Sequence, residues 1–290
     1  MPSLRSQSFL PTGTDVSIAT RLERAWDDVV DGLRGSFSLD LRTLDGPVAA
    51  RNADVSHYPA STIKLPVLMA LLRDRTAGAE TALGSVVVHD RFPSVVGGTF
   101  QLDQAGDQDD ETWDRLGSGV DLLDLADRMI TVSSNIATDL IVERIGFESV
   151  RSFLADPGLD TGFRVERLIG DTAAEDAGVT NAVTASALAS LMTTIATGTD
   201  PDSATALAIL ARQTHRDMIP AGLPQGTWSA SKGGWVTGVK HDVALVRPPS
   251  APAYVLAVCT TSDLPDDAGM HLVARLSAVT WEQWSQWHAS

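Results

Sequence analysis

The stretch His57-Tyr58-Pro59-Ala60-Ser61-Thr62-Ile63-Lys64-Leu65-Pro66-Val67-Leu68 passes from an extended, proline-containing approach into an apolar run. That change of character predicts a buried helix with Ser61 in its first turn. In a first turn, unpaired backbone N–H groups and the positive end of the helix dipole favour a developing negative charge. Lys64 comes three residues later and so shares a helical face with Ser61, the two Cβ atoms lying roughly 5–6 Å apart. A hydroxyl is a poor nucleophile until a base takes its proton. A lysine can serve when burial lowers its pKa enough to leave the amine neutral. Ser-x-x-Lys alone is common, usually as a capping serine and a surface lysine, so its meaning depends on the rest of the chain. Pro66 cannot donate to the Thr62 carbonyl, which predicts a slight kink or a helix start one residue later.

Working outward, the 290 residues suffice for one large core or two modest ones, and 43% hydrophobic with 20% charged residues is the composition of an ordinary globular protein. The formal net charge of -15 argues against nucleic-acid or anionic-membrane partners and leaves a small-molecule substrate open. No apolar run reaches the length of a membrane span. Met1-Pro2-Ser3-Leu4-Arg5-Ser6-Gln7-Ser8-Phe9-Leu10 lacks the apolar segment of a secretory signal, which predicts a cytoplasmic protein; a trimmed chain would look the same and be secreted. The lone Cys259, inside Tyr254-Val255-Leu256-Ala257-Val258-Cys259, reads as a small core residue.

Residues 1–16 read as a flexible tail. From Arg21 to Leu33 apolar residues recur at helical spacing and Gly35 follows as a stop. Ser36 to Leu41 alternates with period two, and Asp45-Gly46-Pro47 turns the chain back into Val48-Ala49-Ala50, a hairpin. Between Val86 and Arg115 periodicity fails, and the acidic Gly106-Asp107-Gln108-Asp109-Asp110-Glu111 reads as a solvated surface loop. Asp121–Thr131, Ile136–Ile145 and Thr184–Ile195 read as helices, with a long surface loop over Asp156–Asn181. Three strands follow near 226–234, 241–246 and 253–260, then a helix from about Ala268 to Trp287 whose Trp281, Trp284 and Trp287 form a packing stripe. The implied fold is α/β in the α+β sense. An antiparallel sheet is made from both ends of the chain (17–64 and 211–290), is covered by terminal helices, and carries an inserted helical domain at 65–210.

Ser61-x-x-Lys64, Ser133-Ser134-Asn135 and Lys232-Gly233-Gly234 occur in that order, each at a structural transition. The order and type match the Ser-x-x-Lys, Ser-Asp-Asn and Lys-Thr-Gly set of penicillin-recognising serine enzymes. The chain resembles the class A β-lactamase family from about residue 20 to the end, including Met129-Ile130-Thr131-Val132, Ile136-Ala137-Thr138-Asp139-Leu140-Ile141 and Pro220-Ala221-Gly222-Leu223-Pro224 beside the motifs. The resemblance implies that Ser61 accepts the acyl group, Lys64 relays its proton and Ser133 hands a proton to the leaving group. It further implies that Asn135 orients substrate and holds Lys64, and that Lys232 adds positive potential. Backbone N–H groups of Ser61 and Trp235 would form the oxyanion hole, and Gly234 and Trp235 would contact substrate. Lys240, near where the family often has an arginine, would meet a substrate carboxylate without the bidentate fork, and His241 would line the pocket.

The departures matter as much. Ser134 stands where the family has Asp, and Gly233 where it has Thr or Ser. In the long loop, aligning Arg164 and Arg167 with the family's two arginines puts Ile169 where the family carries the glutamate that activates the deacylating water. Isoleucine cannot act as a base, and Asp171, Glu175 and Asp176 are the nearby substitutes. His57 and His241 flank motif residues; His89, His215, His271 and His288 have no partner pattern. No spacing suggests zinc, so the expected site is metal-independent and cofactor-free. Three functions compete: a serine hydrolase cleaving a β-lactam or related amide or ester, a penicillin-binding or acyl-transferring protein that releases slowly, and a pseudoenzyme that only binds. The first reading predicts a monomer with weak penicillinase activity.

Overall fold

The computed structural model describes residues 17–82, 84–155 and 162–289. The tail expected over 1–16 lies outside the described residues. In chain order the first elements are α1 (Ile18–Val30), β1 (Gly35–Thr43), β2 (Gly46–Arg51), a short 3-10 turn (Ala60–Ile63) and α2 (Lys64–Thr76). Next come β3 (Ser85–Val87), β4 (Arg91–Pro93), β5 (Thr99–Gln101), α3 (Asp110–Trp113), β6 (Gly119–Asp121), α4 (Leu122–Thr131) and α5 (Asn135–Leu154). Then follow β7 (Phe163–Arg164), α6 (Thr172–Asp176), β8 (Ala182–Val183), α7 (Ala185–Thr197) and α8 (Pro201–Leu210). The chain closes with β9 (Trp228–Val236), β10 (Val239–Arg247), β11 (Tyr254–Ser262) and α9 (Asp266–Ala289).

The main sheet is antiparallel with order β2-β1-β11-β10-β9, so strands from the two ends of the chain meet in the middle. In β1 the alternation sets the pairing: Leu39 lies opposite Val258 and Leu41 opposite Leu256. These side chains pack under α1 and α9 with Leu22, Trp26, Leu272, Leu276 and Trp284. Burying each such side chain stabilises the fold by about 1.5–3 kcal/mol. The opposite face, carrying Ala230, Val243, Leu245, Val255, Ala257 and Cys259, joins one apolar cluster with α2, α4, α5 and α7. Both sheet faces are therefore covered, and Cys259 is a fully buried core thiol whose pKa burial pushes up. Of the tryptophan stripe, Trp284 is buried, with its indole N–H on the Pro252 carbonyl, and Trp281 packs beside it.

Three expectations are corrected. The helix after Ser61 begins at Lys64, and Ser61 itself sits in the preceding 3-10 turn, a tighter entry compatible with Pro66 in the first turn of α2. The stretch from Val86 to Arg115 is not one loop: β4 pairs with β5, β3 pairs with β6, and α3 follows an Asp109 cap. Finally, α8 is a helix the periodicity did not show; Asp200 caps it by accepting from Ser203 N at 2.9 Å, and Pro201 starts it.

Candidate active site

α2 is buried from Lys64 to Leu72, so its first residue delivers an amine into the interior. Lys64 Nζ lies 3.1 Å from Ser61 Oγ, 2.5 Å from the Ser133 carbonyl, 2.8 Å from Asn135 Oδ1 and 3.3 Å from Ser133 Oγ. Burial pushes its pKa down to about 7, against the pull of Asp107, Asp139 and Asp109. Burial thus favours the neutral amine, the state a proton acceptor needs. Lys232 Nζ reaches Ser133 Oγ at 3.0 Å and the Gly233 carbonyl at 2.6 Å, and burial together with the nearby Lys64 charge holds its pKa well below the usual lysine range. Ser61, Lys64, Ser133 and Lys232 thus form one continuous chain of hydroxyls and amines.

Backbone strain holds this geometry. Ser133 has φ of 64° and Ala60 a φ of 45°, left-handed values that cost a non-glycine residue roughly 1–3 kcal/mol. The Lys64 bond to the Ser133 carbonyl helps hold the first. Gly234 supplies the close approach between β9 and the nucleophile turn: a Cβ there would lie 2.7 Å from Ser61 N and 2.8 Å from Thr62 N. β9 is the last strand of the sheet, so its outer side lacks a strand partner where it faces Ser61.

A cavity of about 120 Å³ opens over these groups, lined by Tyr58, Ala60, Ser61, Gly106, Gln108, Ser133, Asn135, Ile169, Trp235 and Val236. A larger groove, about 780 Å³, lies away from Ser61 among α3, α4 and α8. Among its charged groups, Arg128 pairs with Asp109 and Glu111, and Arg212 with Asp127.

Two substrate-binding expectations fail. Lys240 is buried on the α9 side, where its amine bonds the Val236 and Val239 carbonyls and Asp266 Oδ1 at 2.8 Å. His241 is fully buried behind the pocket wall: Thr260 N donates to its Nδ1, so Nε2 carries the hydrogen and donates to the Tyr58 carbonyl at 2.8 Å. Burial pushes its pKa down to about 4, as it does for His57, which lies between Ser38 Oγ and Thr261 Oγ1.

The candidate bases also stand elsewhere. Asp171 is buried as the cap of α6, accepting from Ala174 N, Ser94 Oγ and Val95 N. Glu175 pairs with Arg167 at 3.0 Å, and Asp176 is exposed outside the pocket. Ile169 does line the pocket, its N–H held by Asp139 Oδ1 at 2.9 Å.

The acidic run read as solvated is instead part of the site's frame. Asp107 accepts from Asn135 N at 2.8 Å, Ile136 N at 2.9 Å and Trp113 Nε1 at 3.0 Å, joining Ser134 in capping α5. Asp109 is buried against Thr112 and Arg128, and Gly106 and Gln108 line the pocket. The available signal was Thr112-Trp113 directly after the acids, a helix start rather than a solvated run.

A sequence model of the beta-lactamase enzyme family matches residues 21–284. The chain belongs to that family. This β-lactamase-family enzyme is 28% identical over 247 residues to a beta-lactamase of Bacillus licheniformis, covering 83% of this chain and 75% of that one. It is 27% identical over 239 residues to beta-lactamase 3 of Bacillus cereus, covering 80% of this chain and 70% of that one. PBP-A matches with a TM-score of 0.76 at 23% identity over 94% of this chain and 99% of PBP-A. A beta lactamase from Xanthomonas campestris matches with 0.77 at 19% over 92% and 99%. At such identities these structures speak for the α/β fold alone. The enzyme is a class A β-lactamase-like hydrolase. Among the described residues no helix is long and apolar enough to cross a membrane, and no group of three or more His, Cys, Asp or Glu is placed to hold a metal.

Proposed function

We propose that this enzyme opens β-lactams, or related small amides and esters, through an acyl-enzyme on Ser61, acting as a monomer. Ser61 Oγ forms a bond to the carbonyl carbon, the C–N or C–O bond breaks, and the Ser61 proton passes to Lys64. Ser133, between the two lysines, returns a proton to the leaving nitrogen or oxygen. Asn135 holds Lys64 and orients substrate. The N–H groups of Ser61 and Trp235 receive the oxyanion, and losing one such donor typically costs about 3–4 kcal/mol. The observation that carries this reading is the unbroken chain Ser61 Oγ, Lys64 Nζ, Ser133 Oγ, Lys232 Nζ, with no step longer than 3.3 Å.

Release is a separate matter, because the pocket presents Ile169 where an attacking water would need a base. The enzyme therefore acylates β-lactams and frees them slowly. Small esters turn over faster, since their leaving group departs and admits water. PBP-A, which shares the fold, has been solved as a variant in an acyl-enzyme complex with penicillin G. Intact-mass time courses with benzylpenicillin, a cephalosporin and a small ester test the reading. A persistent penicillin adduct beside ester turnover is expected; no adduct with any of them would overturn it.

A further inference from the structure

Ser134 stands where the family resemblance expects Asp, so the second motif carries a hydroxyl in place of a carboxylate, and that hydroxyl accepts from Ala137 N at 3.2 Å. A carboxylate nevertheless reaches the start of α5, from outside the motif. Half-buried Asp107 accepts on Oδ1 from Asn135 N at 2.8 Å and Gln108 N at 2.7 Å, and on Oδ2 from Ile136 N at 2.9 Å and Trp113 Nε1 at 3.0 Å. The carbonyl of its neighbour Gly106 accepts from Asn135 Nδ2 at 3.3 Å. Residues 106 and 107 therefore grip Asn135 by side chain and backbone at once. With the amide nitrogen drawn to Gly106, the amide oxygen faces Lys64 Nζ, 2.8 Å away.

Two bonds of 2.8 Å thus connect Asp107 to Lys64, the first to Asn135 N and the second from Asn135 Oδ1. The carboxylate also acts on Lys64 through space. Burial brings the amine down to about 7, and Asp107 is foremost among the acids that pull it back up, ahead of Asp139 from α5 and Asp109 from its own loop. Lys232 from β9 and His215 from the segment before β9 also feel the Lys64 charge. The other acids of the run are placed differently: Asp109 is engaged by Arg128 and Thr112, and Asp110 is exposed, accepting from Gln104 Nε2 at 3.1 Å.

Resting on the acyl-enzyme reading, we infer that Asp107 supplies, from the loop before α3, the carboxylate that the second motif lacks, and that it is a positioning residue for acylation. It holds Asn135 against Lys64 and sets a negative charge near the amine that takes the Ser61 proton. Asp107 is not among the residues lining the pocket, and it acts through Asn135 and Lys64 rather than on the reacting atoms.

The test follows acylation by benzylpenicillin against pH, by intact mass, in the wild type, Asp107→Asn and Asp110→Asn. Asparagine keeps one acceptor oxygen and removes the charge. Asp107→Asn is expected to lower the plateau rate about tenfold and to move the midpoint of the profile down by about half a pH unit or more, since the acid that most favours the charged amine is gone. Asp110→Asn removes an equal charge from the exposed part of the same run and should leave the midpoint in place. Should Asp107→Asn not fold, Asp107→Ser, a small neutral cap, is read instead. An unmoved midpoint in a folded Asp107 variant, even with a lower Tm and plateau, makes the residue a structural cap and overturns the inference. An equal shift with Asp110→Asn overturns it too, as does a wild-type profile with no midpoint, which needs no variant at all. If the wild type acquires no adduct, the acyl-enzyme reading itself falls; an adduct with an unmoved midpoint removes only the role of Asp107.

Discussion

The two walls of the pocket are built on opposite plans. One, made by the turn at Ser61, the start of α2, the Ser133 turn and β9, links hydroxyls and amines by steps of 3.3 Å or less and buries Lys64, Ser133 and Lys232. The other, made by the 162–181 loop, shows the pocket the alkyl chain of Ile169. Its acids are spent on structure. Asp171 caps α6, Glu175 meets Arg167, and on the facing helix Asp139 holds the Ile169 N–H with its carboxyl pushed well above the usual range by burial. On the proposed reading, acylation and release are encoded in separate parts of the fold, and one can be furnished without the other.

The largest effect should come from the furnished wall. Ser61→Ala is expected to abolish covalent labelling by a β-lactam with Tm nearly unchanged; undiminished labelling would remove Ser61 from the chemistry. Lys64→Ala should slow acylation at least ~100-fold, the lower end of what a positioned acid or base contributes. On the proposal that the neutral amine accepts the Ser61 proton, with burial bringing its pKa down to about 7, the acylation rate should rise as pH climbs through about 7 and level off above it. A flat pH profile, or a variant within a few-fold of wild type, would make Lys64 a structural residue.

How much of this was legible in the sequence depends on how locally each feature is encoded. The sheet strands and α4 follow from short-range alternation or helical spacing, and Ser61, Lys64, Ser133, Asn135 and Lys232 lie in three short motifs that the fold brings together. Lys240 was misread because strand register turns it to the α9 side, and His241, on the opposite face, because the Tyr58 segment covers it. Asp107 was misread because two of its donors, Asn135 N and Ile136 N, are 28 and 29 residues away; Thr112-Trp113 nearby marks a helix start but not the cap on α5. The helix α8 was missed because its alanine-rich stretch lacks a strong apolar period, although Asp200-Pro201 marks its start.

The next prediction sharpens the contrast between the walls by furnishing the second one. Ile169→Glu puts a carboxylate on the pocket surface that Asn135 also lines, and should speed release of the penicillin adduct roughly 10- to 100-fold while changing acylation less. Adduct lifetimes measured by mass after removal of free penicillin give the answer. An unaltered lifetime in a folded variant would mean that something other than a missing base limits release. Asp139 makes the site demanding, since a second acid would lie near a buried one.

The smallest effect asks whether Asp171 is a cap or a concealed base. It accepts from Ala174 N at 3.1 Å, Ser94 Oγ at 2.8 Å and Val95 N at 3.2 Å, and it is fully buried. Removing the carboxylate leaves three donors without their acceptor, a loss of about 2 kcal/mol for a buried charged cap. In a protein of this size that corresponds to a fall in Tm of roughly 3 °C. Asp171→Ala should show that fall, while Asp171→Asn, which keeps one acceptor oxygen, should recover part of it. Neither change should lengthen the life of the acyl-enzyme at a temperature where both variants are folded. A base would behave the other way round: Asn would be as damaging as Ala to release, and Tm would hardly move. That pattern would return Asp171 to the chemistry and mean that the loop wall is furnished after all, through a side chain that turns toward the pocket only once Ser61 is acylated.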